Sequence, residues 1–285
     1  MDEQIPMIDA HVHLWNPDRF NMPWLSDIPA LNRSYGLQEY REQTRGLPIN
    51  GMVYVEVGVD PRQALREAQY VVELAREEPR LQAIVAAVPV EHGDRMRTHL
   101  MALQSISPLI KGVRRNLQDE ADPTFCLRPD FVRGVQLVAE YGFSFDICVR
   151  HHQFPMVVEV VRRCPDTRFI LDHLGKPGIK NHILDPWREH LAQLAALPNV
   201  WCKVSGLVTE ADPQRWTPDD LAPYLAYALE VFGEDRVVFG GDWPVLLLAS
   251  SYDWWIETLD SLTRHLSPEA KHKLWAENAR RFYRF

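Results

Sequence analysis

The chain has 285 residues, of which 46% are hydrophobic and 25% are charged, and its formal net charge is -8. This composition is typical of a globular protein with a sizeable core, and it excludes a disordered chain, a collagen-like repeat and a small disulfide scaffold. The acidic balance, without a basic tail or stripe, argues against nucleic acid as a partner.

The N-terminal residues 1–6 carry two acids and no apolar stretch. No window approaches the roughly 18 consecutive apolar residues that a membrane helix needs. The four cysteines are widely spaced without a C-x-x-C motif, so we expect buried, reduced thiols; they are Cys126, Cys148, Cys164 and Cys202. These features predict a cytoplasmic protein without a membrane partner and leave the oligomeric state open.

Eight short β-rich runs recur along the chain and predict eight strands. They are residues 7–12, 51–57, 83–88, 109–113, 143–149, 168–171, 200–204 and 236–239. Segments of helical period lie between these runs, with capping residues at their starts and glycine or proline at their ends. Such signals are Asp60-Pro61 and Pro79, Thr217-Pro218 and Gly233, and Ser267-Pro268 before a tail helix.

The alternation of strands and helices predicts parallel strands joined by helical crossovers. Eight such units predict an α/β fold of the (β/α)8 or TIM-barrel type, formed as a single domain over residues 1–285. A closed barrel leaves no exposed sheet edge. A doubly wound open sheet is the alternative, but no G-x-G-x-x-G or G-x-x-x-x-G-K motif favours it.

Polar side chains follow the apolar runs, at the end of the strands where a (β/α)8 barrel forms its active site. They are Asp9, His11 and His13 on the first run, Arg114 and Arg115 on the fourth, His151 and His152 on the fifth, Asp172 and His173 on the sixth, Ser205 and Glu210 on the seventh, and Asp242 on the eighth. A role in core packing would not place all of them on one side of the strands. This distribution predicts an active site there.

The first strand contains the sequence D-A-H-V-H, with His11 and His13 two residues apart. Strand side chains alternate between faces, so both imidazoles are predicted to share one face, with Asp9 one step below them. Two imidazoles can hold a Zn²⁺-like ion, and Asp9 could orient one of them. The short motif alone also fits polar residues at a barrel mouth without metal. His173 and Asp242, at the ends of strands six and eight, favour a metal-dependent hydrolase arrangement.

Four segments in this order resemble the amidohydrolase superfamily, and in particular its sugar-lactone hydrolase branch of the L-fuconolactonase and L-rhamnonolactonase type. The segments are IDAHVHLW at 8–15, FILDHLGKP at 169–177, KVSGLVTEA at 203–211 and FGGDWP at 239–244. The resemblance covers essentially the whole chain and implies an ester hydrolase that opens a sugar lactone, with L-fuconolactone as the expected substrate. It also implies that Asp242 activates the attacking water while three histidines surround the carbonyl; these are His11, His13 and His173.

The resemblance further implies one divalent, Zn²⁺-like ion on which turnover need not depend. Its expected ligands are His11, His13, His173 and Asp242. A binuclear member would carry a bridging lysine or glutamate at the end of strand four, whereas Lys111 lies near the start of that strand. Arg114 and Arg115 stand at its end instead, and two arginines repel a dication. We therefore expect no second ion.

Of the two neighbouring arginines only one can point inward, because strand neighbours alternate between faces. Parity with Lys111 and Val113 predicts that Arg115 is the one that contacts substrate, with Arg114 as the other candidate. A bulge in the strand would reverse this assignment.

The remaining candidate contacts come from loops. His151 and His152 are predicted to bind substrate hydroxyls, and either could instead be a metal ligand from strand five. Glu210 is a candidate proton donor or second carboxylate. Trp24, on the long loop 14–35, and Trp243, beside Asp242, are predicted to form an apolar wall at the substrate.

Two other functions are compatible with the same scaffold. One is a metal-dependent nonoxidative decarboxylase of an aromatic or muconate-type acid, which needs a tightly held ion and tends to be longer than this chain. The other is a barrel without catalysis that serves as a binding or oligomerisation module. The polar groups at the ends of the strands argue against that second alternative.

Overall fold

A computed structural model describes residues 5–285 of the chain, so residues 1–4 of the predicted domain and of the acidic N-terminal segment lie outside the described residues. Within the described range all eight predicted strands are present, each within two residues of its expected bounds. The strands are β1 Met7–Val12, β2 Ile49–Val55, β3 Leu81–Ala87, β4 Ile110–Arg114, β5 Ser144–Ile147, β6 Phe169–Leu171, β7 Val200–Val204 and β8 Val237–Phe239.

The helices lie between and after the strands. They are α1 Leu37–Gln43, α2 Ala64–Glu77, α3 Arg97–Ile106, α4 Pro129–Glu140, α5 Phe154–Arg163, α6 Trp187–Ala195, α7 Leu207–Glu210, α8 Pro218–Phe232, α9 Tyr252–Leu262, α10 Pro268–His272 and α11 Asn278–Tyr283. The predicted caps form: the Thr217 main-chain amide donates to Asp220 at 2.7 Å, and Gly233 ends α8 with a φ of 68°. The tail helix contains a π-helical segment at Lys273–Glu277 between α10 and α11.

The strands pair in parallel in the order β1 to β8, as a (β/α)8 barrel requires. The barrel closes where the end of β8 meets β1. There the His13 amide donates to Trp243 O and the Asp242 amide donates to His11 O, each at 2.8 Å. The sequential order and this closure confirm the single-domain barrel and exclude the doubly wound sheet.

The barrel interior is filled by small and branched apolar side chains from alternate strand positions. They include Ile8, Ala10, Val53, Val55, Ala83, Val85, Ile170 and Val238. The C-terminal helix α11 covers the amino ends of the strands, where Phe282 packs against Trp201 with ring centroids 5.5 Å apart. Substrate access is therefore left to the carboxyl ends of the strands.

A register shift interrupts β1 just before the His-x-His pair. Asp9 pairs with Met52 and Val12 with Tyr54, so β1 uses one more residue than β2 over this stretch. An extra residue of this kind moves the following side chains to the other face. Asp9 therefore does not lie below the two histidines, and the prediction that it orients an imidazole is wrong.

Asp9 instead binds main chain at the barrel closure. Its Oδ1 accepts hydrogen bonds from the Gly241 amide at 2.7 Å and from the His11 amide at 3.0 Å. Its Oδ2 accepts from the hydroxyls of Tyr252, at 2.6 Å, and Tyr40, at 3.2 Å. This fully buried carboxylate joins the end of β8 to β1 and anchors both to the surrounding helices.

Two expectations from composition can be compared with the structure. Among residues 5–285, no helix is both long enough and apolar enough to cross a bilayer. All four cysteines are buried and free, as expected.

Removing the Asp9 carboxylate should destabilise the barrel. Asp9→Ala leaves the buried amides of His11 and Gly241 without their acceptor, so we expect the free energy of unfolding to fall by about 3 kcal/mol, since buried unsatisfied donors are costly. Asp9→Asn keeps one acceptor oxygen and should lose only about 1 kcal/mol. Urea denaturation followed by circular dichroism measures both, and a D9A variant as stable as the parent would contradict this role.

Candidate active site

The structure brings together the four side chains predicted to form the centre of the site. His11 and His13 come from the end of β1, His173 follows β6, and Asp242 follows β8. The Nε2 atoms of His11 and His13 are 3.2 Å apart. Asp242 Oδ1 lies 3.7, 3.6 and 3.9 Å from the Nε2 atoms of His11, His13 and His173. All four side chains are buried, so their polar atoms face one another.

Hydrogen bonds fix the orientation of two of these rings. His13 Nδ1 lies 2.7 Å from Val55 O, and His173 Nδ1 lies 2.9 Å from Ser205 Oγ. Because a carbonyl oxygen can only accept, His13 carries its proton on Nδ1 and presents a lone pair on Nε2 to the site. This outward hydrogen bond is the arrangement typical of a metal-binding histidine.

The backbone around Asp242 and His173 adopts the left-handed region that side chains rarely enter. The φ angles are 57° at Asp242 and 56° at His173. Gly206 makes room for them: a Cβ at this position would lie 2.6 Å from His173 Nδ1 and 2.9 Å from Asp242 Oδ2. Unfavourable backbone conformations of this kind concentrate at functional sites. Here they aim a carboxylate and an imidazole at the same point.

The charge state of the site follows from burial and from close neighbours. Burial by itself would raise the pKa of Asp242, but His173, His13 and His11 together lower it below its ordinary value. Burial lowers the pKa of His173 to about 4 and the pKa of His11 well below its ordinary value. At neutral pH the site therefore holds an ionised Asp242 beside neutral rings at His11 and His173.

A buried array of charged side chains supports these groups, and sequence reasoning placed only its members Arg114 and Asp172 at the site. Lys203 Nζ lies 2.6 Å from Asp146 Oδ2 and 3.0 Å from Asp172 Oδ1. Arg114 Nη1 lies 3.2 Å from Asp172 Oδ2, and its Nε donates to Glu56 Oε1 at 2.7 Å. Every buried charge in this array has a partner of opposite sign, as burial of ionised groups requires.

A signal for this array was present in the sequence. Lys203 interrupts the apolar run of β7, Asp146 the run of β5, and Glu56 directly follows the run of β2. Charged residues inside apolar strands are rarely buried unless they are paired. Several of them on different strands of one barrel indicate an internal network, although not which charges pair.

The prediction that Arg115 faces the site is wrong, since Arg114 is the inward residue. Arg114 is buried in the charge array, whereas Arg115 points away, with Glu91 at 3.1 Å and Glu120 as its partners. Parity within one strand was the only available argument, and the strands of this barrel contain several register shifts.

A cavity of about 520 Å³ opens onto the site at the carboxyl ends of the strands. Trp15 and Trp24 form an apolar wall, and Trp24 Nε1 donates to Val57 O at 2.8 Å. Glu210 lines the cavity as predicted, 3.8 Å from Lys176 Nζ. Polar residues not predicted from the sequence also line it; they are Asp27, Asn116, Gln118, Asp119, Arg150, Lys176 and Thr209.

Four predicted substrate contacts do not line this cavity in the described part of the chain; they are Arg115, His151, His152 and Trp243. After β5, Cys148 and Arg150 take the inward positions, so His151 bonds to Lys176 O at 2.9 Å and His152 is exposed. Trp243 is completely buried behind the site, with its ring against Tyr35 and Tyr40. It packs behind Asp242 and is separated from the cavity.

The site has the ligand spacing of a zinc centre. His11, His13 and Asp242 offer ligand atoms that all lie within 4.8 Å of one another, and so do His11, Asp172 and His173. Tetrahedral zinc with bonds of about 2.0–2.1 Å places neighbouring ligand atoms roughly 3.4 Å apart. Separations of 3.2, 3.6 and 3.7 Å in the first group fit that geometry. Both groups include His11, which is consistent with one ion.

Comparison with known proteins shows similarity along the whole chain. The sequence profile of the amidohydrolase family matches residues 8–285. An L-fucono-1,5-lactonase from Burkholderia multivorans is 33% identical, over 97% of this chain and 95% of its own. An L-rhamnono-gamma-lactonase from Scheffersomyces stipitis is 22% identical, over 97% and 98%. A crystal structure of an amidohydrolase from Burkholderia multivorans with bound zinc superposes with a TM-score of 0.88 at 32% identity, covering 98% of this chain and 99% of its own.

The two neighbouring arginines should differ in their effect on stability. Arg114→Ala leaves Glu56 and Asp172 buried without their cation, so we expect the free energy of unfolding to fall by about 3–5 kcal/mol. Arg115→Ala removes a partly exposed pair and should change it by less than about 1 kcal/mol. Urea unfolding of both variants provides the comparison. Equal losses of unfolding free energy in the two variants would contradict a stabilising role for the buried charge array.

Proposed function

This chain belongs to the amidohydrolase family, and we propose that it is a lactone hydrolase that opens a sugar lactone, specifically L-fuconolactone, to the open-chain sugar acid. The observation that carries the proposal is the position of Asp242. Its carboxylate lies at a substrate-sized cavity and within 3.9 Å of three imidazoles. The relatives that act on sugar lactones support the substrate class.

In the proposed reaction Asp242 is the general base. It accepts a proton from a water whose oxygen attacks the lactone carbonyl carbon. Its low pKa keeps it ionised, and the attacking water becomes acidic as its bond to carbon forms, so a carboxylate suffices as acceptor. His173 lines the cavity, and because the Ser205 hydroxyl can donate to its Nδ1, its Nε2–H can stabilise the negative charge that the carbonyl oxygen gains.

The ring carbon–oxygen bond then breaks, and the departing alkoxide needs a proton. We assign this step to Glu210, which lines the cavity. Burial raises the pKa of Glu210 above its ordinary value, so this carboxylate, paired with Lys176 in the resting site, can take up a proton during turnover and donate it to the alkoxide. The nearby Lys176 holds the carboxyl group in place from 3.8 Å.

A divalent ion would be held by His11, His13, His173 and Asp242, and when bound it would polarise the carbonyl oxygen. We propose one ion at most, because the cationic Arg114 occupies the end of β4 where a second ion would need a bridging anion. We also propose that hydrolysis proceeds without it, since a base and a proton donor are already present.

The charges that line the cavity favour a neutral substrate. Arg150 lies 3.3 Å from Asp119, Lys176 lies 3.8 Å from Glu210, and Arg114 lies 2.7 Å from Glu56. Each of these cations is thus balanced by an acid of the chain itself. A polyhydroxylated lactone can bond to such pairs, whereas a substrate with its own carboxylate would need a free cation.

The same pairing weighs against the alternative, a nonoxidative decarboxylase of an aromatic or muconate-type acid. Such a substrate must place a carboxylate in the site, beside the ionised Asp242. The many polar groups in the cavity also favour an enzyme over a barrel that serves only as a binding module.

We propose that the protein acts in the cytoplasm on a small molecule, without a nucleic-acid or membrane partner. The four free, buried cysteines support a reducing compartment. The net charge of -8 supports the absence of nucleic-acid binding.

Removing the base should abolish most of the activity without unfolding the protein. Asp242→Asn keeps the shape of the side chain but cannot accept a proton, so we expect kcat to fall at least about a hundredfold. Lactone opening followed by proton release measures this, and circular dichroism checks the fold. Asp253→Asn, on the exposed face of α9, is the matched control. Full activity in a folded D242N variant would rule out Asp242 as the base.

A panel of lactones tests the substrate. We expect L-fuconolactone to exceed unsubstituted valerolactone by roughly a hundredfold or more in kcat/KM, because unpaired polar groups in the site penalise the plain ring. A sugar lactone that carries a free carboxylate should also react more slowly than the neutral sugar lactone. The assay is proton release, run with and without chelator, and activity should survive the chelator. Release of carbon dioxide from an aromatic acid, without lactone hydrolysis, would support the decarboxylase instead.

A further inference from the structure

We propose that Lys203 fixes the position of the proton on His11, so that His11 directs an N–H group toward His13 and thereby weakens the binding of a divalent ion. Lys203 would act as a positioning residue through His11. The inference goes beyond the proposed function, because it concerns the histidine site and does not depend on the substrate.

The first step is the contact between Lys203 and His11. Lys203 is completely buried, and its Nζ lies 3.2 Å from His11 Nδ1 in hydrogen-bond geometry. The ammonium group is ionised here because Asp146 and Asp172 lie 2.6 and 3.0 Å away. An ammonium group can donate but never accept. His11 Nδ1 must therefore accept, which leaves the proton of the neutral ring on Nε2.

The second step is the contact between the two histidines. His11 Nε2 lies 3.2 Å from His13 Nε2, and His13 Nε2 carries a lone pair because its Nδ1 donates to Val55 O. Two lone pairs at this distance would repel, whereas an N–H and a lone pair form a hydrogen bond. The bonds therefore run in one direction, from Lys203 to His11 to His13 to Val55 O.

The third step is a second polar neighbour of His11 Nδ1. Asp172 Oδ1 is buried, lies 3.0 Å from the Lys203 ammonium group and 3.4 Å from His11 Nδ1, and accepts no hydrogen bond in full geometry within the described residues. A metal ion between His11 and His13 needs a lone pair on both Nε2 atoms. His11 would then carry its proton on Nδ1, where Asp172 Oδ1 is available to accept it.

The site therefore has two arrangements that compete for His11 Nδ1. In one, Lys203 donates to Nδ1 and the imidazoles bond to each other. In the other, Nδ1 donates to Asp172 and both Nε2 atoms are free to bind an ion. Lys203 stabilises the first arrangement, and its charge also lies close to where the ion would bind.

Nuclear magnetic resonance of the full-length protein tests the proton position directly. The metal-stripped protein, labelled with ¹⁵N-histidine, is examined by long-range proton–nitrogen correlation, with His11→Gln and His13→Gln variants to assign the signals. We expect His11 protonated on Nε2 and His13 on Nδ1. Saturating zinc should move the His11 proton to Nδ1. A His11 ring already protonated on Nδ1 without metal would overturn the proposal, whatever the lactone assays show.

Zinc affinity provides the second measurement, by competition with a chromophoric chelator. Lys203→Met should bind zinc at least about tenfold more tightly than the parent, the scale of changes around metal ligands. Because this variant leaves Asp146 without its cation, Lys203→Met with Asp146→Asn is tested beside it. Lys176→Met is the matched control, since it removes a cavity lysine whose ammonium group makes no hydrogen bond to His11, His13 or His173 among the described residues.

The control separates the specific contact from general charge repulsion. We expect K176M to change zinc affinity by less than about threefold, because a partly screened charge has a smaller effect than a direct contact. Equal gains in K176M and K203M would overturn the role of the His11 contact. Unchanged affinity in the folded double variant would do the same.

Discussion

The carboxylate of Asp9 is the interaction on which the geometry of the site depends. It accepts hydrogen bonds from the His11 amide and the Gly241 amide, and so ties β1 to the segment that ends in Asp242. The same seam contains the backbone bond from the Asp242 amide to His11 O. The contacts that close the barrel therefore also place Asp242 beside the histidines. Asp9 acts on the site through the main chain, from the opposite face of the strand.

A second constraint lies beneath the histidines, in the interior of the barrel. Burying charges is costly unless opposite charges and hydrogen bonds compensate for lost hydration. Lys203 meets that condition with Asp146 and Asp172, and Tyr283 from the last helix donates to Asp146 at 2.8 Å. Helix α11, which closes the amino end of the barrel, is thus connected to the site by three polar contacts. They join Tyr283 to Asp146, Asp146 to Lys203, and Lys203 to His11. An array of this kind specifies ring orientation as well as stability.

In the cavity above the site, as in the barrel interior, cationic side chains are paired with acidic ones. Its lysine and arginines are matched by acids of the chain, so the cavity offers polar bonding without a net attraction for anions. Its tryptophan wall can cover the apolar face of a sugar ring. The paired cations and the ionised Asp242 together disfavour a ligand that carries its own carboxylate.

The sequence by itself was sufficient for the barrel and for the four central residues. Strand and helix periods are local properties, and parallel barrels place their chemistry at the carboxyl ends of strands, so His11, His13, His173 and Asp242 could be located without coordinates. The faces of the strands on which Asp9 and Arg114 lie could not be predicted in this way, because a single extra residue in a strand moves the following side chains to the opposite face.

Only the tertiary structure decided which charges pair and which loop residues reach the cavity. Lys203 and Asp146 are 57 residues apart, and His11 and Lys203 are 192 residues apart, so no local pattern joins them. The loop after β5 turns Arg150 toward the cavity and His152 toward solvent, a choice made by packing against neighbouring loops. The hydrophobic period of a strand or helix depends on a few neighbouring residues, whereas the partner of a buried charge depends on the whole fold.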